Sequence, residues 1–371
     1  MHQKQILEPN AAQVQTAPVQ YVNHERIIYE GGKYISQWGN RALISGGKRA
    51  LQAVEKSLVN SLKKSKIYWE KHIFIGECCD ENISFIKSKA ESIKANIIIG
   101  IGGGKALDAA KAAAEECSIP IICIPTIAAT CAATSALSVI YSREGVFKRT
   151  FFLTTSPNLV LVDPNVIANA PVIYLEAGIL DSLAKWYEGI AVFQGIDNPD
   201  IYTSSAICLA EMLNKQMQEK AIRAVNLVKE HRVEETLLHV IDLIVYLTGV
   251  IQSMGQKTLR GGIAHAINNG LTIVKESHDL PHGLKVGYGI IVQLVLEKLP
   301  KKQVKDTVSF FRKLDFEPSL KGLNLVFNRD VIVRIAEKAA NDPYTGKMPF
   351  PVKTEMIVSA IEELEENIDK F

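Results

Sequence analysis

The chain has 371 residues, of which 47% are hydrophobic and 22% charged, and its formal net charge at pH 7 is +2. Its length exceeds what one hydrophobic core usually serves, so two domains are expected. The near-neutral balance excludes a globally basic chain drawn to nucleic acid or an anionic membrane, and basic runs such as residues 63–66 read as solvated faces.

The six cysteines (Cys78, Cys79, Cys117, Cys123, Cys131 and Cys208) form no zinc-finger or CxxC spacing. With no secretory pattern and no disulfide framework, a reducing cytoplasm is the expected location. No wholly apolar run reaches the length of a membrane span. Residues 1–18 are polar and Gln-rich and are expected to be a loose tail.

Residues 41–45 form an apolar strand pattern that stops at Gly46-Gly47, and helical periodicity follows over 48–62. Strands are expected at 72–76, 96–100, 119–124 and 159–162, with helices over 81–95 and 105–117 between them. The run 96–100 (NIIIG) is nearly all apolar, as a strand buried on both faces requires. Strand–helix alternation implies a Rossmann-like parallel sheet covered on both sides. After about Ala170 strand patterns nearly vanish. Amphipathic helices are expected over 177–191, 204–228, 234–253, 261–268, 286–297, 302–313 and 354–367. The expected fold class is therefore α/β, with a dinucleotide-binding domain over 19–170 and an all-helical domain over 171–371.

Gly102, Gly103, Gly104 and Lys105 join a buried strand to a helix. Glycines there let the backbone approach a pyrophosphate, with helix N-terminal amides aimed at it, although a tight turn without ligand reads the same way. Asp108 falls in the first turn of that helix. Dinucleotide folds often carry an acid after an earlier strand, for the ribose hydroxyls. Here that position reads Gly46-Gly47-Lys48-Arg49. Two cations suit a 2′-phosphate, and they equally suit an ordinary basic helix start.

In the second half, Asp181, His265 and His282 supply one carboxylate and two imidazoles. That is a three-ligand set with an open position, the arrangement metal-assisted catalysis uses. Spacing alone leaves His278 as a rival to His282.

The strings GIGGGKALDAAKAAA (100–114), PTIAATCAATSALSVIY (125–141), NLVLVDPNVIANAPVIYLEAGILDSLAKWYE (158–188), HAINNGLT (265–272), HGLKVGYGIIVQLVLE (282–297) and MPFPVKTEMIVSAIEE (348–363) run in one order over nearly the whole chain. Together they resemble the iron-containing alcohol dehydrogenase family, its glycerol dehydrogenase branch in particular, with the fold shared by 3-dehydroquinate synthase. The resemblance implies a metal- and nicotinamide-dependent oxidoreductase acting on CH–OH groups. It implies that Gly102, Gly103, Gly104 and Lys105 line the pyrophosphate with Asp108 alongside; Gly47 and Lys48 join the cofactor candidates from the strand end read above. Thr126 and Ala129 would line the cofactor, with Ser135, Leu137 and Tyr141 near its nicotinamide end. Asp181, His265 and His282, not His278, match the metal ligands; the ion is usually zinc in this branch and iron in others. A homo-oligomer is expected, with a small-molecule substrate and neither nucleic acid nor membrane as partner.

Two positions depart from the pattern. Cys131 stands where the glycerol enzymes usually carry Asp, so a carboxylate that holds substrate hydroxyls is replaced by a thiol. ATCAA, LSV and AKWYE are similar to a branch that reduces 2-oxo acids with NADPH. The leading expectation is therefore interconversion of a small 2-hydroxy acid and its 2-oxo acid, with NADP favoured over NAD. Glycerol or vicinal-diol oxidation and a 3-dehydroquinate synthase-like lyase are the alternatives, and a silent cofactor-binding protein is a further one. Asn268 stands where many relatives have a His that moves a proton, and Asn does not titrate.

Overall fold

The computed structural model describes residues 14–256, 258–326 and 328–371. Most of the tail expected over 1–18 lies outside them. Six parallel strands form the central sheet: β1 (Gln20–Asn23), β2 (Arg41–Gly47), β3 (Tyr68–Phe74), β4 (Ile97–Gly102), β5 (Ile121–Pro125) and β8 (Leu159–Val162), in the order β1-β8-β5-β4-β2-β3. A separate antiparallel hairpin pairs β6 (Leu137–Tyr141) with β7 (Phe147–Phe152). Helices α1 (Gly31–Ile35), α2 (Lys48–Lys64), α3 (Asp80–Ser92) and α4 (Gly104–Cys117) intervene, and α2 and α4 start directly at the ends of β2 and β4.

From β2 the chain moves outward to β3, then crosses back to the other side of β2 for β4 and β5. The carboxyl ends of β2 and β4 therefore flank the point where strand order reverses, the place where open α/β sheets bind their ligands. β4 is buried along its whole length, and α4 covers it with six buried alanines, Ala106, Ala109, Ala110, Ala112, Ala113 and Ala114. Small side chains bring that helix close enough for Gly100 to face Ala110; a β-carbon on Gly100 would lie 2.8 Å from the alanine methyl.

Beyond β8 the described residues contain helices and no further strand: α5 (Pro164–Ala168), α6 (Ile173–Phe193), α7 (Ile201–Lys229), α8 (Glu235–Asp242), α9 (Thr248–Met254), α10 (Ile263–Leu271), α11 (His282–Leu296), α12 (Lys301–Lys313), α13 (Arg329–Ala340) and α14 (Thr354–Asn367). A π-helical segment, Leu243–Leu247, joins α8 to α9. The packing of α6 against α10 and α11 makes the centre of this layer. Two glycines allow backbone contact there. A β-carbon on Gly283 would sit 1.8 Å from the Ala177 carbonyl oxygen, and one on Gly178 would sit 2.0 Å from that of Ala128.

Several elements differ from expectation. The strand expected at 72–76 begins at Tyr68, and the helix expected from 286 begins at His282. β1, β6, β7 and α13 are additional. The Glu235–Met254 stretch is also long and apolar enough to cross a membrane, with mean hydropathy 1.7, contrary to the expectation from wholly apolar runs. Half of its apolar window is buried within the fold, and its Asp242 accepts hydrogen bonds from Tyr21 at 2.7 Å and Asn23 at 2.8 Å, which reads as a core helix.

Candidate metal centre and dinucleotide cleft

Asp181 lies in the middle of α6, His265 in the first turn of α10 and His282 at the first position of α11. Their donor atoms all lie within 4.8 Å of one another. Asp181 Oδ1 is 3.5 Å from His265 Nε2 and 3.3 Å from His282 Nε2. Two ligands at about 2.0–2.1 Å from a tetrahedral ion lie about 3.3–3.4 Å apart, so the donor set and spacing fit a divalent metal. His278 is elsewhere, with Nε2 bonded 2.8 Å from the Thr272 carbonyl.

Sequence reasoning missed Glu188. It is buried two turns after Asp181 on α6. Its Oε2 accepts from His265 Nδ1 at 2.6 Å, and its Oε1 accepts from the backbone N–H of Gly262 and of His265, each at 2.8 Å. A proton held on Nδ1 leaves the Nε2 lone pair facing Asp181, the tautomer a metal ligand needs. Burial pushes the Asp181 carboxyl up, but the facing imidazoles outweigh it and hold it well below the usual carboxylate range. Burial likewise disfavours a charged His265, yet Glu188 and Asp181 prevail and raise the ring to about 9, so a metal ion binds Nε2 by displacing its proton while Glu188 keeps the one on Nδ1.

Gly102, at the end of β4, has φ +141°, a region open to glycine. A β-carbon there would lie 4.0 Å from the Gly47 nitrogen, so the two glycine turns adjoin across the switch point. Gly47 has open space in front of it, and Lys48 is exposed at the start of α2. Thr126 is buried and its N–H donates to the Gly102 carbonyl at 3.2 Å. Gly104 faces the Thr130–Ala132 loop, next to Ala129. Lys105 extends to Glu77 at 2.5 Å. Asp108 does not face the turn. It is buried on the fifth residue of α4, 2.9 Å from Lys111 Nζ, and accepts from the Val139 N–H at 3.0 Å. Lys111 Nζ also donates to the carbonyls of Ser135 at 3.1 Å and Leu137 at 2.5 Å, so this buried pair fixes the path of the loop into β6. Tyr141 ends that strand, and its N–H donates to the Cys78 carbonyl at 2.8 Å.

Cys131 is buried, with Sγ 3.3 Å from Ser135 Oγ and 3.7 Å from Gln252 Oε1. Burial raises its thiol pKa, so it meets the cleft as a neutral group. Asn268 is buried, donates to Asn269 Oδ1 at 3.1 Å, and leaves its own Oδ1 without a partner among the described residues. Lys285, one turn after His282, is buried and donates to the Ser277 carbonyl at 3.2 Å. Burial, with nearby Lys105, pushes it down to about 8.

Comparison with known proteins agrees with this geometry. Residues 18–164 match the model of the iron-containing alcohol dehydrogenase family. A glycerol dehydrogenase of Escherichia coli O6:H1 is 34% identical over 87% of this chain and 88% of its own. Hydroxycarboxylate dehydrogenase A of Escherichia coli K12 is 32% identical over 77% and 79%. The crystal structure of a probable glycerol dehydrogenase from Sinorhizobium meliloti 1021 superposes with a TM-score of 0.88 at 26% identity, covering 97% of this chain and 100% of that one. A sheet with glycine turns at its switch point, a helical layer carrying a carboxylate–imidazole triad, and similarity along most of the chain place this protein in the iron-containing alcohol dehydrogenase family.

Proposed function

We propose that the protein is a divalent-metal-dependent, NAD(P)-linked oxidoreductase that interconverts a small hydroxyl compound and its carbonyl. The observation that carries this is the Asp181–His265–His282 triad, with His265 oriented by buried Glu188. A divalent ion, when bound, supplies Lewis-acid stabilisation of negative charge on the reacting oxygen. The chain does the rest. Glu188 holds the His265 tautomer, and α6, α10 and α11 hold the three donors in one place. Gly102–Gly104 and the amides of α4 would receive a diphosphate, and the segment from Thr126 to Leu137 would border the nicotinamide end. A bound dinucleotide would accept the hydride from the carbinol carbon or return it to the carbonyl carbon. Asn268 cannot exchange a proton, so that proton passes to water or to a ribose hydroxyl.

Several relatives are named for glycerol, which supports a glycerol or vicinal-diol substrate over the 2-hydroxy acid, the reverse of the order expected from the sequence. The acid reading keeps one specific support, the neutral Cys131 thiol where a carboxylate would hold polyol hydroxyls. Two imidazoles and a carboxylate suit zinc, and iron as well. Exposed Lys48 beside Gly47 supports a 2′-phosphate and hence NADP. Six unpaired cysteines accord with a reducing cytoplasm, and the family with a homo-oligomer.

The test is a metal-supplemented spectrophotometric panel that crosses NAD and NADP with glycerol and diols, and NADH and NADPH with 2-oxo acids. Turnover with net change in NAD(P)H is expected, and its loss in Asp181→Ala, His265→Ala and His282→Ala, with dinucleotide binding retained. Full activity in any of the three, or a reaction that only recycles its cofactor as a lyase does, would overturn the reading.

A further inference from the structure

Against the order that the relatives' names favour, we propose that Arg260, supported by Lys185 and Lys347, binds the carboxylate of the substrate, so that the compound turned over at the triad is a small 2-hydroxy acid or 2-oxo acid. The inference rests on the oxidoreductase reading above and deepens it.

Arg260 opens the Arg260-Gly261-Gly262 segment that leads into α10 and His265. The segment is laid directly on the metal centre. The Gly262 N–H donates to Glu188, and a β-carbon on Gly261 would lie 3.2 Å from the Tyr344 ring. That ring is edge-on to His265, with centroids 6.1 Å apart. On its other side the Arg260 guanidinium lies 4.7 Å over the face of Phe152, and Phe152 pairs across the hairpin with Leu137. The segment thus ties the guanidinium to the hairpin that carries Leu137 on one side and, through Gly262, Glu188 and Tyr344, to the His265 end of the triad on the other.

Among the described residues the cation has no hydrogen-bond or carboxylate partner. Arg260 Nε is buried without a hydrogen-bond acceptor, and among the described residues no carboxylate lies within ion-pair distance of the guanidinium. Two lysines accompany it. Lys185 Nζ donates to the Arg260 carbonyl at 3.3 Å, and Lys347 Nζ donates to the Gly261 carbonyl at 3.4 Å while lying 4.6 Å from the Tyr344 ring centre. The nearby carboxylates are committed elsewhere: Glu188 to His265 and Gly262, Asp342 to Asn269 and the Tyr344 N–H, Asp181 to the imidazoles. Burial depresses the Arg260 pKa and pushes Lys347 down to about 8, so both cations are partly stripped of water.

A buried guanidinium donor without an acceptor is unfavourable unless a ligand supplies one. Its planar fork matches a carboxylate bidentately, and the guanidinium already packs over the Phe152 ring. A glycerol hydroxyl offers neither the charge nor two acceptors. Cys131 fits the same assignment, since an Asp there would repel the anion.

The experiment compares wild type, Arg260→Gln and Arg260→Lys in two readouts. The first is NAD(P)H-linked reduction of pyruvate against neutral hydroxyacetone, together with glycerol oxidation. The second is calorimetric binding of oxamate against its neutral analogue oxamide, in the presence of NAD(P)H. Wild type is expected to prefer pyruvate and oxamate. Arg260→Gln is expected to raise the pyruvate KM and the oxamate Kd by about 10- to 100-fold, the range for losing a hydrogen bond to a charged group. The loss on hydroxyacetone should be at least about 10-fold smaller than the loss on pyruvate, and Arg260→Lys should fall between. Glycerol oxidation without pyruvate reduction, or equal losses on charged and neutral compounds, overturns the role of Arg260 and leaves the oxidoreductase reading standing. No turnover on any compound overturns that reading instead, and oxamate binding still decides the role of Arg260.

Discussion

Replacing Glu188 with Gln changes one atom at the centre of the site. The side chain keeps its shape, and Oε1 still accepts from the Gly262 and His265 N–H groups, each now at 2.8 Å. The atom facing His265 Nδ1 at 2.6 Å becomes an NH2 donor, so two donors meet. The ring resolves this by moving its proton to Nε2, the nitrogen 3.5 Å from Asp181. A protonated Nε2 has no lone pair for an ion. Loss of such an orienting partner weakens metal binding by about 10- to 100-fold, which corresponds to about 1.4–2.7 kcal/mol. Chelator competition with zinc would measure it, alongside dinucleotide fluorescence to show that the sheet half is intact. Zinc affinity within about 3-fold of wild type would refute the tautomer argument, because the substitution leaves size and backbone hydrogen bonds in place.

Gly283→Ala tests the backbone contact that brings α11 to α6. Its methyl would lie 1.8 Å from the Ala177 carbonyl, so the helices must separate and carry His282 away from Asp181. Overpacking of this kind costs about 1–3 kcal/mol; a lower unfolding midpoint in urea and weaker zinc binding are expected together, and a change in neither would show that the contact does not set the triad. Lys285→Met tests a pH dependence. The folded-state pKa of about 8 lies below the 10.5 of a free lysine, so the unfolded chain holds more protons between those values. Wild-type stability should therefore rise from pH 8 toward 10.5, by up to about 3 kcal/mol from this group. Urea unfolding of the metal- and dinucleotide-free protein at several pH values should show that rise shrinking in Lys285→Met. An identical pH profile would refute the assignment.

Much of this was legible in the residues, for definite reasons. The run 159–162 is bounded by Asn158 and Asp163-Pro164, so its ends were marked, and it is a strand there. The metal ligands could be carried by resemblance because they sit in long strings, whereas their meeting point depends on three helices and no local pattern contains it. Glu188 did leave a signal: seven residues after Asp181, two turns along one helix, it shares the ligand's face. Helix α13 also had one, with Asn328 capping Asp330 and Ile332, Ile335, Ala336 and Ala339 buried on one side. The hairpin was harder. FKRTFF has no buried face to impose alternation, and its Lys148 and Arg149 are held by Asp80 from another helix. The expectation for Asp108 did not include Lys111, whose ammonium lies 2.9 Å from that carboxylate. Arg260 was unreadable, because Phe152 and Tyr344, which place it, come from distant parts of the chain.

The π-helical turn at Leu243–Leu247 is in effect an α-helix wound around one surplus residue. The Val245 carbonyl accepts from the Thr134 hydroxyl at 2.5 Å, and the Thr248 hydroxyl donates to the Leu243 carbonyl at 2.9 Å. One residue amounts to about 100° of rotation, so all that follows is dialled round by about a quarter turn. That rotation is what lays Gly249 against Thr134 and aims Gln252 at Cys131. Which face of α9 looks into the cleft is thus decided by arithmetic and not by composition. Deleting any one of the five would leave every cleft residue unchanged and still swing Gln252 out of reach of Cys131, and an alignment that opened a gap there would hide the difference.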